Sequence, residues 1–426
     1  MAPVCPNPCQ RPTIFKPIAS HGTTVVTAAP QKDTVYIFEL LDGRFEQVQI
    51  ITPQDDNEGI RFFGREIAVD QDILCLGTSR DIVYIYQKGA AGGEWKFLQQ
   101  IIGSEGTKFG FSLALSTKRL VIGAYATNFS EGAVYVYERL TMQQGNAVFS
   151  SSPNILESTN GASKSRLGSS VDTHGDLILV GASGRRQVLL YQFVLQNDES
   201  SKWVLVYTFQ ASDSTTDDFG AYGETVSLSD SQTIVVGADE AGTDGQVYTY
   251  TRTAPPSGQG HDNNFFFTET ILLPRDGSGG YGFGDSFGWS FSLNTNASLL
   301  AVGSVNHNHR NGAVYLYTRL EESKNSTAVW EFAAKLEINA NETKLGASTA
   351  VMMNENKHFV LAGAPYLSVE SQRQVGAIIV FCPGEEPTPA SETITEAPTS
   401  SDVATGVVLW HTSSLVALLV ALLFLR

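Results

Sequence analysis

KFGFSLALSTKRLVIGAYATNFSEGAVYVYERL, Lys108 to Leu140, holds three short apolar runs separated by turns. Phe109-Gly110 opens it, the second run ends at Gly123-Ala124, and Gly132 introduces Ala133-Val134-Tyr135-Val136-Tyr137. β-Branched and aromatic residues suit a pleated, half-buried strand, and glycine supplies the tight turns between strands. The opening pair recurs as Phe63-Gly64, Leu167-Gly168, Tyr222-Gly223, Phe287-Gly288 and Leu345-Gly346. Each of the six copies reaches a second glycine 13 to 17 residues later: Gly77, Gly123, Gly181, Gly237, Gly303 and Gly363. A third run follows in seven places, TVYIF (34–38), IVYIY (82–86), AVYVY (133–137), QVLLY (187–191), QVYTY (246–250), AVYLY (313–317) and AIIVF (377–381). A fourth, usually opened by an aromatic, is seen in segments such as WKFLQQIIGS from Trp95 and WEFAAKLEIN from Trp330.

The unit is therefore four strands repeated about every 56 residues between Phe63 and Leu345. A single such sheet cannot bury its two faces, whereas a ring of sheets packs them against one another around an axis. The fold class is all-β: a seven-bladed β-propeller of four-stranded antiparallel blades, followed by a disordered stalk and a C-terminal hydrophobic segment. The first strand of each blade is innermost, the glycine after the aromatic lets backbones crowd there, and the aromatic packs between sheets. Blade one reads as abbreviated, with Lys16 where glycine is expected, and blade seven has no fourth strand after Phe381. Such a ring needs a cover for its open edge.

Phe-Gly followed by Gly-Ala resembles the FG-GAP repeat, the blade of the integrin α-subunit head and of many bacterial and protist surface proteins. The resemblance spans about 15–381 and implies the propeller fold with a role in adhesion or recognition. Integrin-type blades often carry D-x-D-x-D-G calcium loops. The corresponding turns here, VDQDI, LSTKR, VDTHGDL, LSDSQT, LNTNAS and MNENKH, lack the alternating oxygen ligands that calcium demands. No cofactor is expected, and calcium is unsupported by these turns. Asp172 and Asp176 come nearest to a metal pair, with Asp239 and Asp244 as further weak candidates.

With a net charge of −16 and no basic run, nucleic acid is not an expected partner. The chain divides into a Pro/Cys segment (1–13, read as an incomplete N-terminus), the propeller (14–382), a Pro/Ser/Thr/Glu-rich stalk (383–404) and a terminal segment (405–426). Small residues Ala404-Thr405-Gly406, an uncharged spacer and LVALLVALLFL (415–425) have the layout of a GPI-anchor signal. A single spanning helix is the alternative, and a plain apolar terminus the third reading. Either anchor places the protein at the cell surface. The sequons at Asn128, Asn296, Asn325 and Asn341 fit that route, although 1–13 has no signal-peptide pattern. Cys5 or Cys9 bridging Cys382 would fasten the ring, and a local Cys5–Cys9 loop is the rival. Cys75, within ILCLG, reads as a buried small hydrophobe.

Propellers commonly bind through the face made by loops from strand two to three and from strand four to the next strand one. On that face fall Tyr125, Asp217, Asp218, Asp239, Glu240, Asp244, Tyr281, Phe283, His307 and His309. His307 and His309, two apart, would point the same way off an extended segment and could then hold a transition metal; with no third ligand nearby, a polar surface loop is the favoured reading. No G-x-S-x-G, H-E-x-x-H, phosphate loop or C-x-x-C occurs, so no catalytic residue is assigned. The expected function is a membrane-anchored binding or adhesion protein that recognises an extracellular protein or glycan. A propeller-type polysaccharide hydrolase or lyase and a structural coat protein are the alternatives.

Overall fold

A computed structural model describes residues 18–381 apart from 54–61, 90–91, 141–148, 158–163, 196–200, 213–220, 230–232, 254–264, 277–283, 295, 321–328, 339, 355–356 and 368–375. It also describes four short strands of the C-terminal region. The propeller strands form six four-stranded antiparallel meanders and a seventh sheet of three strands. The blades are 1 (18–51), 2 (66–102), 3 (112–157), 4 (167–210), 5 (225–272), 6 (287–336) and 7 (349–381). In the quoted stretch, Ser112–Leu115, Arg119–Ala124 and Ala133–Glu138 are the first three strands of blade 3. A four-residue fourth strand, Asn154–Glu157, had no clear mark in the sequence. The first strands adjoin one another all the way round, including Ile18–His21 of blade 1 beside Thr349–Asn354 of blade 7, so they line the axis.

Blade 1 is not abbreviated. It carries Ile18–His21, Thr24–Ala29, Thr34–Leu41 and Arg44–Ile51 in sequential order. Its innermost strand needs only four residues and a turn through Gly22 (φ 58°), so pairing does without the Phe-Gly landmark that made the other blades visible. Among the described residues, blade 7 has three strands, as its sequence indicates. Its last strand, Ala377–Phe381, is buried throughout: Ile379 and Phe381 pack against blade 6, Ile378 and Val380 against blade 1. The ring is thus closed by packing between sheets.

Seven apolar clusters fill the seven interfaces between blades. The first motif residues, Phe63, Phe109, Leu167, Tyr222, Phe287 and Leu345, each enter the interface with the preceding blade, none more than 2 % exposed. Burying a side chain of this size contributes roughly 1.5–3 kcal/mol, which explains why apolar identity matters more here than aromaticity. Cys75 lies in one of these clusters, fully buried, and burial pushes its thiol up.

The paired glycines have a shared geometric cause. Gly223 donates its amide to the Gly237 carbonyl of its own blade at 3.1 Å, while its carbonyl lies against Gly181 of blade 4. A Cβ at Gly181 would collide with that carbonyl, so the second glycine of one blade is a seat for the first glycine of the next. A serine two residues after the first glycine completes the contact. Ser112, Ser170 and Ser290 donate Oγ to the carbonyls of Gly168, Gly223 and Gly346 at 2.9, 2.8 and 2.8 Å. Ser348 stands at the equivalent place in blade 7, facing the blade whose counterpart residue, Lys16, lies outside the described residues.

Outside the propeller, Thr405–Val407 pairs with Val420–Leu422, and Trp410–Thr412 with Leu415–Ala417. No helix among the described residues is long and apolar enough to cross a membrane. Cys5, Cys9 and Cys382 lie outside the described residues.

Candidate functional site

The loops joining strands two and three, together with those leading into each first strand, build one face, called here the FG face. Two of its loops share a rare backbone. In blade 3, Asn128, Phe129 and Ser130 have φ of 50°, 56° and 69°; in blade 6, Asn308, His309 and Arg310 have φ of 46°, 60° and 70°. Three successive non-glycine residues in left-handed conformation cost roughly 1–2 kcal/mol each. The same hydrogen bonds hold both turns. Gly132 donates to Thr127 and Gly312 to His307, each at 3.0 Å. Each loop then receives the next blade: Leu167 donates to Glu131 and Leu345 to Asn311, again at 3.0 Å. Gly132 (φ 84°) and Gly312 (φ 78°) lie so close to Leu167 and Leu345 that a Cβ at either would strike their backbone.

On the blade 3 side, the turn points Phe129 into solvent at 92 % exposure. Arg166 and Ser165 of the next loop pack on it, through Arg166 N–H to the Ser130 carbonyl at 2.9 Å and Ser165 Oγ–H to the Glu131 carbonyl. The strand-two to strand-three loop of blade 4 adjoins in turn, Gly184 donating to the Ser165 carbonyl at 3.1 Å. Lys164, Arg166, Arg185 and Arg186 therefore sit on two touching segments beside Phe129. Arg166 also stacks over Tyr125 at 4.8 Å from the ring centroid, and Tyr125 meets Phe111 edge-on at 4.5 Å. Arg65 covers Phe111 at 4.5 Å, so the stack runs from blade 2 to blade 4 near the axis. Burial lowers the Arg65 pKa, partly offset by Glu66. Arg166 pairs with Glu224 of blade 5 at 3.3 Å.

On the blade 6 side, the turn is anchored from within. His307 is 4 % exposed, its Nδ1 2.7 Å from Asp285 Oδ2 and its Nε2 3.2 Å from Glu337 Oε1. Lys335 bridges Glu337 (3.0 Å) and Asp276 (2.5 Å), and Tyr315 donates its hydroxyl to Asp276 at 2.8 Å. Burial pulls the His307 pKa down, but hydrogen bonds to Glu337 and Asp285 outweigh it and leave the imidazole above its ordinary value. The hydrogen bond from His307 holds Glu337 below the usual carboxylate range. Burial raises Asp276, yet the bonds from Lys335 and Tyr315 bring it below normal. Both imidazole nitrogens face carboxylates, which favours the doubly protonated ring.

The segment carrying His307 and His309 is thus a left-handed turn within a loop, not the extended run that a metal-holding pair would need. His307 goes inward and His309 outward, so the two rings diverge. Asp172 accepts the amides of Thr173 and of Leu228 in blade 5, at 2.8 and 2.7 Å, and burial raises its carboxyl to about 6. Asp176 is exposed and pairs with Lys118 at 2.9 Å. Asp239 is buried, Glu240 is half-buried, and Asp244 accepts the Thr243 hydroxyl at 3.0 Å. No group of three or more His, Cys, Asp or Glu among the described residues is arranged to hold a metal ion. Asn128, Asn296 and Asn341 are exposed. Asp217, Asp218, Tyr281, Phe283 and Asn325 lie outside the described residues. Sequence reasoning placed the loops 125–131, 276–285 and 307–311 on the face but did not single out Phe129 or the ion-pair network of blade 6, and it missed Arg166. The signal available was the shared register of TNFSEGAVY and HNHRNGAVY, from Thr127 and His307.

These features define a seven-bladed β-propeller, and residues 102–137 match the FG-GAP repeat family model. No curated protein matches the chain in sequence. Among solved structures, the RRP9 WD40 repeats are similar at 14 % identity and a TM-score of 0.53, over 85 % of this chain and 94 % of that one. Sqt1 of Saccharomyces cerevisiae (12 % identity, TM-score 0.49) aligns over 90 % and 91 % of the two chains. U3-55K (12 %, TM-score 0.49) aligns over 85 % and 95 %. At such identities the likeness to the RRP9 repeats shows the propeller fold alone.

Proposed function

We propose that the protein is a cell-surface binding protein whose propeller recognises an extracellular protein or glycan through the FG face. The C-terminal segment would tether it to a membrane as a GPI signal or a spanning helix. The observation that carries the reading is Phe129, an aromatic side chain 92 % exposed on a turn of three left-handed residues. Backbone strain of this kind persists where the surrounding structure over-determines it, and it clusters at functional sites. An exposed aromatic held this way adds nothing to the core and suits a contact with a ligand. The exposed sequons at Asn128, Asn296 and Asn341 and the apolar terminal run support display outside the cell. No cofactor is required by this reading.

The test uses residues 1–402, secreted behind an added signal peptide and titrated onto intact cells and matrix of the source organism, with and without EDTA. Saturable binding, weakened about tenfold or more in Phe129→Ala, is the expected outcome. Absence of binding by folded, monodisperse protein would sink the reading and leave the coat protein, the polysaccharide hydrolase or lyase, or an obligate partner subunit. Loss of binding with EDTA would reinstate a metal at the turns.

A further inference from the structure

We infer that the seam between blades 3 and 4 on the FG face is a binding site for an acidic glycan, a sugar chain bearing carboxylate or sulfate groups. The inference rests on the FG face being the binding face and names its ligand class. In a chain of net charge −16, Lys164, Arg166, Arg185 and Arg186 collect on two segments that touch through Gly184 and Ser165. Lys164 and Arg185 are exposed, and Lys164, Arg166 and Arg186 all have left-handed backbone, φ 63°, 54° and 54°. Among the described residues, Lys164, Arg185 and Arg186 make no ion pair with a carboxylate. Among the described residues, the acids close by are Glu131, which accepts from Asn128, Glu157, which pairs with Ala133 at the base of the turn, and Glu224, which takes Arg166. Four cations against these three carboxylates leave a local excess of the sign opposite to the whole molecule. Such an excess costs self-repulsion unless an anion meets it.

The second observation is what lies beside the charges. Phe129 stands exposed on the loop that holds Arg166, and the Tyr125–Phe111 pair continues inward under Arg166 and Arg65. Arg166, stacked on Tyr125, already turns an N–H edge to Glu224, so a carboxylate or sulfate would meet Lys164, Arg185 and Arg186 beside the rings, where a guanidinium suits bidentate pairing. A sugar ring offers both requirements at once: a flat C–H face for the aromatic and charged substituents at its rim. A nucleic acid duplex or an anionic membrane fits less well. Either presents charge over an area wider than the seam and would meet the acidic loops of blades 5 and 6, which carry Asp239, Glu240, Asp244, Asp276 and Glu337.

The test measures binding of the full chain, with detergent held below its critical micelle concentration, to a heparin hexasaccharide and an oligogalacturonate. Neutral maltohexaose, a DNA oligomer of matched charge and phosphatidylserine vesicles serve as comparisons. Binding to one or both acidic sugars, weakening steadily with salt, is expected, with the sulfated and carboxylated probes separating the two anion sources. Arg185→Glu with Arg186→Glu should weaken it about tenfold or more, and Phe129→Ala about threefold to tenfold. Lys96→Glu with Lys202→Glu, on outermost strands of blades 2 and 4, should leave it unchanged. Asn128→Gln, which removes any glycan from the same loop, should preserve or strengthen it. Maltohexaose, DNA or vesicles binding as tightly as the acidic sugars would overturn the inference, as would indifference to the Arg185/Arg186 reversal. Cell binding that survives that reversal would overturn the glycan seam while leaving the FG-face reading intact.

Discussion

The turn of blade 3 and the turn of blade 6 are one backbone with two chemistries. TNFSEG and HNHRNG, from Thr127 and His307, share left-handed torsions, a closing glycine and the same donor–acceptor pattern to the following blade. Below the blade 3 turn, Thr127 merely returns its hydroxyl to the Ala124 carbonyl at 2.8 Å. Below the blade 6 turn, His307 enters a network that runs from buried Asp285 and Tyr315 out to half-buried Lys335 and exposed Glu337 and Asp276. Blade 3 spends its tip on an exposed phenylalanine beside four cations, whereas blade 6 turns its charges inward to hold the loop. The repeat dictates backbone geometry. Non-repeated side chains decide what each position does with it.

The largest effect should come from the feature both turns share. Gly132→Ala and Gly312→Ala each place a Cβ against the next blade's backbone at a positive φ, and each should cost about 3–5 kcal/mol. Denaturant unfolding of the two variants should give equal losses within about 1 kcal/mol. A loss confined to one of them would break the equivalence of the two backbones.

Next in size is the difference beneath the turns. His307→Ala leaves Asp285, which is 0 % exposed, without its imidazole partner and should cost about 3 kcal/mol. Thr127→Ala removes one neutral hydrogen bond and should cost about 1 kcal/mol. Equal costs would mean that the His307 network does not support the blade 6 turn.

The network also titrates. The His307 pKa is raised, so its contribution is fully present below the ordinary value of about 6.5 and is lost as pH rises through the folded value. Glu337 and Asp276 are lowered, so theirs is present above about 4.3 and 3.9 and is lost as pH falls. The blade 6 turn should therefore be firmest between about pH 5 and 6.5. The Tm difference between the native protein and His307→Gln should peak there and shrink toward alkaline pH. A flat difference from pH 5 to 9 would show that His307 carries no proton-linked stability.

How much of this was legible in the sequence follows from distance along the chain. Phe109-Gly110, Gly123-Ala124 and the Val-Tyr strand announce themselves because each blade needs the same seat for its neighbour's carbonyl. Blade 1 was read as shortened because Lys16 broke the landmark, although strand pairing from Ile18 onward did not depend on it. The turns at 127–130 and 307–310 were read as loops because neither sequence contains a glycine at the left-handed residues themselves. The cations at 164–166 and 184–186 lie some 20 residues apart and meet only once blades 3 and 4 are side by side. Likewise Asp276, Asp285, His307, Tyr315, Lys335 and Glu337 come from four separate segments around blade 6. No local pattern encodes such a meeting.

The smallest expected effect is the most telling about purpose. Phe129 and His309 occupy matching tip positions, and both are exposed. Phe129→Ala and His309→Ala should each change stability by no more than about 0.5 kcal/mol, since neither side chain packs in the propeller interior. Binding should separate them. Phe129→Ala should weaken attachment to an acidic glycan, and His309→Ala, across the ring from the four cations, should not. A stability loss of about 2 kcal/mol in Phe129→Ala would instead place that ring in the fold's own packing and remove the argument that the strained turn exists to display it.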